Sequence, residues 1–311
     1  MNFLVLGAGA IGSVFGGLLA KDGHHVALVG RKAHMDAVRE QGLSIGGILG
    51  EHLVTGMETA TDVASLPAHA YDAVLITTKS YDTALAIREA LPAVGPDTLV
   101  VSLQNGLGNL EVIEAAVRAE RTVGARVIFG VDMERPGRAT VTVWGGDVMV
   151  GSPTNAIATE RIQALADAFT HSGIKAQATD NVLAYIWGKV LYNVALNALS
   201  ALLRVPYGEL PKQEPTRRLM EAMITESFAV ARAVGAPLLW STPEEYCRVL
   251  FNDLVPPTAA HYSSMYADLQ HHKRTEIDAM NGAIVRLGKE HGVSTPMNQT
   301  VMLLVKASEK G

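Results

Sequence analysis

The sequence predicts an α/β protein in two parts: a parallel sheet covered by helices over residues 1–178, then an all-helical domain over 179–311. Three observations carry this. Apolar strand-like runs alternate with helical stretches through the first half, a glycine-rich turn joins the first run to the first helix, and strand signals stop after Asp180. The length of 311 residues, about twice that of an ordinary domain, also favours two domains over one.

Asn2-Phe3-Leu4-Val5-Leu6 is a short run of strand formers halted by glycine, as expected of a strand buried on both faces. Residues 11–21 carry Val14, Phe15, Leu18 and Leu19 at helical spacing, and Asp22-Gly23 ends that helix before the second strand, His25-Val26-Ala27-Leu28-Val29. Strand, helix and strand over about 30 residues form a βαβ unit. Further strands are expected at 72–77, 98–103 and 122–128, with helices at 82–90 and 109–118 between them. From Gly130 to Gly151 short alternating pieces around the turn Arg135-Pro136-Gly137 predict a hairpin added late in the domain. A helix at 156–172 and a strand at 174–178 close the first part. The second part reads as helices at 181–203, 216–234, 242–253, 275–291 and 298–308.

Composition excludes several classes of function. Hydrophobic residues make up 48% and charged ones 18%, so there is ample material for a buried core. A formal charge of −5 without a basic block leaves no electrostatic footprint for nucleic acid or an anionic membrane. Gly7, Gly9, Gly12 and Gly16 interrupt the apolar N-terminal run, which is therefore not read as a secretory signal. No uniformly apolar window of about 20 residues predicts a membrane span. Cys247 is the only cysteine, so no intramolecular disulfide, thiolate metal cluster or redox dithiol is expected, and a cytoplasmic setting fits. The chain is read as a monomer or homodimer with no metal site.

Gly7-Ala8-Gly9-Ala10-Ile11-Gly12 matches G-x-G-x-x-G between a predicted strand and a predicted helix, the context of a Rossmann-type dinucleotide loop. Gly7 would allow the turn, Gly9 would let backbone approach a pyrophosphate, and Gly12 would let helix pack on strand. The alternative is a turn that is glycine-rich only because it packs tightly. The second strand ends at Val29-Gly30 without the Asp or Glu that usually meets a bare ribose; Arg31 stands there instead, followed by Lys32. A guanidinium suits a 2′-phosphate, so NADP is expected over NAD. Two polar loops, Thr77-Thr78-Lys79 and Gln104-Asn105-Gly106, follow later strands at the ligand side of such a sheet. Lys79 and Asn105 are candidates to meet the nicotinamide end or the substrate, against the bland readings of a helix cap and an Asn-Gly turn.

Residues 181–203 are apolar almost all round, so the few polar ones stand out. Lys189, Asn193 and Asn197 are spaced i, i+4, i+8 on one helix face. Buried polar groups need partners, either within the protein as an internal ladder or from a polar ligand. Reduction of a ketone needs a proton donor at the carbonyl oxygen, which a lysine ammonium can supply, while asparagines orient the substrate. Glu276, near the start of the expected 275–291 helix, reads most simply as a carboxylate favouring the helix dipole. Ser263 and Ser264 read as possible helix caps.

Taken together, these motifs resemble the ketopantoate reductase (2-dehydropantoate 2-reductase) family through essentially the whole chain. The glycine loop is shared with many dehydrogenases. Trp187-Gly188-Lys189-Val190 with Asn193 and Asn197, then Ser263-Ser264-Met265 and Thr275-Glu276-Ile277-Asp278 followed by Asn281-Gly282, are far more specific. The resemblance implies a Rossmann domain plus a helical domain and NADPH-dependent reduction of 2-dehydropantoate to (R)-pantoate in pantothenate biosynthesis. It implies Lys189 as proton donor and Glu276 as the acid that orients it and bonds the substrate hydroxyl. Asn193, Asn197 and Ser264 match substrate positions; Arg31, Lys79 and Asn105 match cofactor-side positions. At His261, where some members carry an asparagine that helps bind substrate, the chain departs from the pattern. Another 2-oxo acid is therefore an alternative substrate, and a sensor that binds NADP without catalysis is an alternative of another class.

Overall fold

The computed structural model describes residues 1–309. It divides into two compact units, Met1–Gln104 with Asn109–Val182, and Asn105–Gly108 with Leu183–Gly311. The turn at 179–182, placed in the helical part by the division at 178/179, packs with the sheet: Thr179 N donates to Val150 O at 2.8 Å.

In the first unit, β1 (Asn2–Leu6), α1 (Ala10–Lys21) and β2 (His25–Val29) form the expected βαβ element. Next come α2 (Lys32–Gln41), β3 (Leu43–Gly47), β4 (His52–Val54), β5 (Glu58–Ala60), β6 (Ala73–Ile76), α3 (Thr83–Ala90), β7 (Leu99–Ser102), α4 (Asn109–Val117) and β8 (Thr122–Arg126). The unit closes with β9 (Phe129–Arg135), β10 (Arg138–Trp144), β11 (Val148–Gly151), α5 (Thr159–His171) and β12 (Ala176–Ala178). The main sheet runs β12-β11-β8-β7-β6-β1-β2-β5. All its pairings are parallel except β11 with β8.

Alternation along β1 shows why the run is apolar without a break. Phe3 and Val5 pack with Val14, Phe15 and Leu18 of α1 and Phe169 of α5. Leu4 and Leu6 pack on the opposite face with Ala86, Ile87 and Ala90 of α3 and Ile113 of α4. Each side chain of this type removed from water contributes about 1.5–3 kcal/mol, so both faces must be covered.

The late hairpin, β9 and β10, does not extend the main sheet. It joins a second one, β4-β3-β10-β9, whose β3 and β4 lie in a stretch where the sequence shows no periodic run. His34 ties this sheet to α1: its Nδ1 accepts from Gly137 N at 2.9 Å, and its Nε2 lies 3.0 Å from Ser13 Oγ.

The second unit is helical: α6 (Val182–Leu203), α7 (Glu214–Ala233), α8 (Pro243–Val249), α9 (Ser264–Gln270), α10 (Asn281–Glu290) and α11 (Pro296–Ser308). Helix α6 is long and apolar enough by length and composition to cross a membrane, a property the sequence reading did not assign. Here it is a core helix, with Leu191, Val194, Ala195, Leu196 and Ala198 fully buried among α7, α10 and α11. The Glu226 carboxylate accepts from Met297 N, Asn298 N and Asn298 Nδ2 at 2.8, 3.0 and 2.7 Å, which neutralises the positive end of α11.

Two expected helices are corrected. The 242–253 helix is α-helical only to Val249 and continues as a wider π turn, Leu250–Leu254, before Pro256 and Pro257 stop it. The 275–291 helix is broken at Met280 (φ −108, ψ −105), leaving a short 3-10 turn, Ile277–Ala279, ahead of α10. Glu276 consequently lies outside any α-helix, and it is buried, 5% exposed. The reading of Glu276 as a carboxylate favouring the dipole of a 275–291 helix is therefore corrected.

Candidate active site

In the first unit the glycine-rich turn sits at the carboxyl end of β1, where the order of the sheet reverses, with β2 on one side and β6 on the other. Open α/β sheets bind ligands at such a switch point. Gly7 has φ +100, and a Cβ on it would stand 2.7 Å from Thr78 N. A Cβ on Gly12 would stand 2.6 Å from Thr77 Oγ1 and 2.7 Å from Gly7 O, so α1 lies against the strand ends only because that atom is missing. Gly9 differs. A Cβ there would meet only Gly7 O, at 3.8 Å, so its side-chain direction opens into space that the protein does not fill.

Gly9 is also the N-cap of α1, with no side-chain cap and no acidic residue in the first turn. The amides of Ala10, Ile11 and Gly12 have no intrahelical acceptor and carry the positive end of the helix dipole. Ala8 N donates to Val29 O at 2.8 Å and is buried, fixing the turn to β2. This cradle fits a pyrophosphate.

Arg31 follows β2 and is exposed as the N-cap of α2, while Lys32 is engaged by Asp36 at 2.6 Å. Lys79 follows β6, half-buried, as the N-cap of a 3-10 turn, Ser80–Asp82. The structure thus puts the glycine loop, Arg31 and Lys79 at the carboxyl ends of neighbouring strands. Two supporting residues had no role assigned from sequence. Thr77 Oγ1 donates to Gly7 O at 2.7 Å, and Gln104 Nε2 donates to Thr78 O at 3.0 Å and to Thr83 Oγ1 at 2.8 Å. Their signal was position alone, as polar residues directly after apolar strands.

In the second unit Lys189 is half-buried on α6, and its Nζ donates to Asn105 Oδ1. Asn105, placed on the cofactor side from sequence, therefore meets the lysine of α6. One turn further, Asn193 is 5% exposed and its Nδ2 has no hydrogen-bond acceptor. An unsatisfied buried donor of this kind costs roughly 1–3 kcal/mol, which a ligand oxygen would recover. Asn197, 3% exposed, is committed internally. Its Oδ1 accepts from Tyr207 Oη at 2.6 Å, its Nδ2 donates to Met280 Sδ at 3.4 Å, and its backbone carbonyl accepts from Ser263 Oγ at 2.9 Å.

Ser263 is buried as the N-cap of α9, also accepting from Tyr266 N at 3.0 Å, whereas Ser264 is exposed. His261 is half-buried, its ring edge-on to Tyr207 with centroids 5.4 Å apart. Next to Glu276 in the chain, Thr275 is fixed to the end of α11: its N and Oγ1 both donate to Glu309 Oε1, at 2.7 and 2.6 Å. Tyr207 and Glu309 were not singled out from sequence, since neither belongs to a local motif, and Thr275 was named only as part of the motif around Glu276. Cys247 is buried, and burial pushes its thiol up to about 11, so no thiolate forms there near neutrality.

The chain is similar to known proteins over its whole length. The family model for "Ketopantoate reductase PanE/ApbA" matches residues 3–155, and the model for the C-terminal part of the same family matches 181–309. A 2-dehydropantoate 2-reductase of Aquifex aeolicus is 39% identical over 309 residues, 99% of this chain and 97% of that protein. One from Halobacterium salinarum is 34% identical, covering 100% and 99%. Among solved structures, a PanE/ApbA family ketopantoate reductase from Ralstonia eutropha superposes with TM-score 0.89 at 32% identity, covering 100% and 99%. A D-mandelate dehydrogenase solved with NADH and anilino(oxo)acetate superposes with TM-score 0.90 at 28% identity, covering 100% and 98%. On the family matches and the 39% identity across its length, this chain belongs to the ketopantoate reductase family.

Proposed function

We propose that the protein reduces 2-dehydropantoate to (R)-pantoate with NADPH, in the cytoplasm and as a step of pantothenate biosynthesis. The observation that carries this reading is on α6: Lys189 engaged by Asn105, with the unsatisfied amide of Asn193 one turn away. The names of the relatives at 39% and 34% identity support the substrate.

Gly7 to Gly12 hold the pyrophosphate through backbone amides, and Arg31 takes the 2′-phosphate, which makes NADPH the cofactor. Lys79 meets the nicotinamide end. When bound, the dihydronicotinamide supplies a hydride to the C2 carbonyl carbon. The Lys189 ammonium polarises the carbonyl oxygen and gives it a proton, a role generally worth about 10²- to 10⁴-fold in rate. Asn105 and Glu276 orient Lys189, and Glu276 bonds the substrate hydroxyl. Asn193 donates its free N–H to a substrate oxygen, and Asn197, His261 and Ser264 shape the rest of the substrate site.

A second reading, reduction of a different 2-oxo acid, draws support from the superposition on D-mandelate dehydrogenase and from the aromatic pair Tyr207 and His261. NADPH oxidation with a panel of 2-oxo acids separates the two. A kcat/KM for 2-dehydropantoate no better than that for aromatic or straight-chain acids would sink the first reading. Turnover by Lys189→Ala equal to wild type would remove the lysine from the mechanism under either.

A further inference from the structure

Residues 105–108 follow β7 in the chain but pack with the helical unit. Leu107 N donates to Ala279 O at 2.9 Å. Gly106 has φ +86, and a Cβ on it would stand 2.4 Å from Ala279 O and 2.6 Å from Ala279 Cβ. Ala279 is the last residue of the 3-10 turn that Glu276 opens, and Ala279 N donates to Glu276 O at 3.0 Å. One short turn therefore carries Glu276 at its start and, at its end, the carbonyl on which the loop with Asn105 is seated.

We propose that Gly106 is a positioning residue: by lacking a side chain it lets the loop sit on Ala279, which keeps Asn105 on the Lys189 ammonium. This rests on the reading of Lys189 as proton donor. It also explains the break at Met280, since a continuous helix through 275–291 would direct the Ala279 carbonyl along the helix to an amide four residues on, and away from Leu107.

Backbone strain and loss of the seat can be told apart, because Gly108 also has a left-handed φ, +96, but a Cβ there would meet only the end of Arg286, at 3.6 Å. The experiment compares Gly106→Ala, Gly108→Ala, Asn105→Ala, the double variant N105A/G106A, and Ala279→Val, which crowds the same contact from the other side. Amide exchange over 105–108 reads the seat without any substrate, and kcat and KM for NADPH and the 2-oxo acid read its consequence.

Gly106→Ala and Ala279→Val are expected to speed Leu107 exchange and lower kcat by about 10- to 100-fold, with KM for NADPH within about twofold. Gly108→Ala, strained alike but without the clash, should cost clearly less in both than Gly106→Ala, and the double variant should be no slower than Asn105→Ala alone. Wild-type exchange and kcat in Gly106→Ala and Ala279→Val, equal losses in Gly106→Ala and Gly108→Ala, or simple multiplication of losses in the double variant would each overturn the proposal. Should the wild type turn over no 2-oxo acid, the functional reading fails, while exchange still decides whether the seat exists.

Discussion

Tyr207 donates its hydroxyl hydrogen to Asn197 Oδ1 at 2.6 Å, and both residues are buried. The same tyrosine meets His261 twice, edge-on through the rings and through its backbone N–H to His261 O at 2.9 Å. Tyr207→Phe should leave Asn197 Oδ1 without a donor and lower stability by about 1–3 kcal/mol, measured by urea unfolding. If Asn197 and His261 shape the substrate site, KM for the 2-oxo acid rises while KM for NADPH does not; an equal rise in both would refute that division of labour.

Gly9 and Gly12 should fail in different ways. Gly12→Ala places a methyl against Thr77 Oγ1 and Gly7 O and should lower the unfolding midpoint. Gly9→Ala meets almost no protein atom, so it should fold normally and lose dinucleotide affinity. Thermal unfolding with and without NADPH checks both, since ligand stabilisation should vanish for Gly9→Ala while its unliganded melting temperature holds.

Arg31 bears on cofactor choice. A hydrogen-bonded charge pair contributes about 1.5–3 kcal/mol, so Arg31→Ala should raise KM for NADPH roughly 10- to 100-fold and leave NADH nearly unchanged. Steady-state kinetics with both cofactors test this, and a parallel loss for NADH would remove Arg31 from the 2′-phosphate.

His34 should make stability depend on pH. Its Nδ1 accepts from Gly137 N, so the neutral ring carries its proton on Nε2, toward Ser13, and burial holds the pKa below 6.5. Below 6.5 the unfolded chain binds a proton that the folded chain does not. The contribution is therefore complete above that value and is lost as pH falls toward the folded pKa. Urea midpoints between about pH 7 and pH 5 should fall more steeply for wild type than for His34→Asn, which keeps an acceptor near Gly137. Parallel slopes would show that His34 does not titrate on unfolding.

Much of this was legible because it is local. The apolar run Phe3 to Leu6, the glycines at 7, 9 and 12, and Arg31 after the second strand are readable within a few residues. The stretch from α2 to β5 was not, because β4 and β5 are three residues each and take their strand character from neighbours in two different sheets.

The sequence by itself determined the two-part architecture, the glycine-rich turn, and the face of α6 that carries Lys189, Asn193 and Asn197, because periodicity along a strand or helix is set by the backbone. Only the tertiary structure decided which of those groups are committed. Asn193 and Asn197 are the same residue type on the same face, yet Tyr207 and Met280 engage one and leave the Nδ2 of the other without an acceptor. Ser263 is buried beside exposed Ser264, and Asn105 meets Lys189 across 84 positions of chain. Spacing fixes the direction a side chain takes from its own element, but its partner comes from another element, whose approach depends on packing that no local window contains.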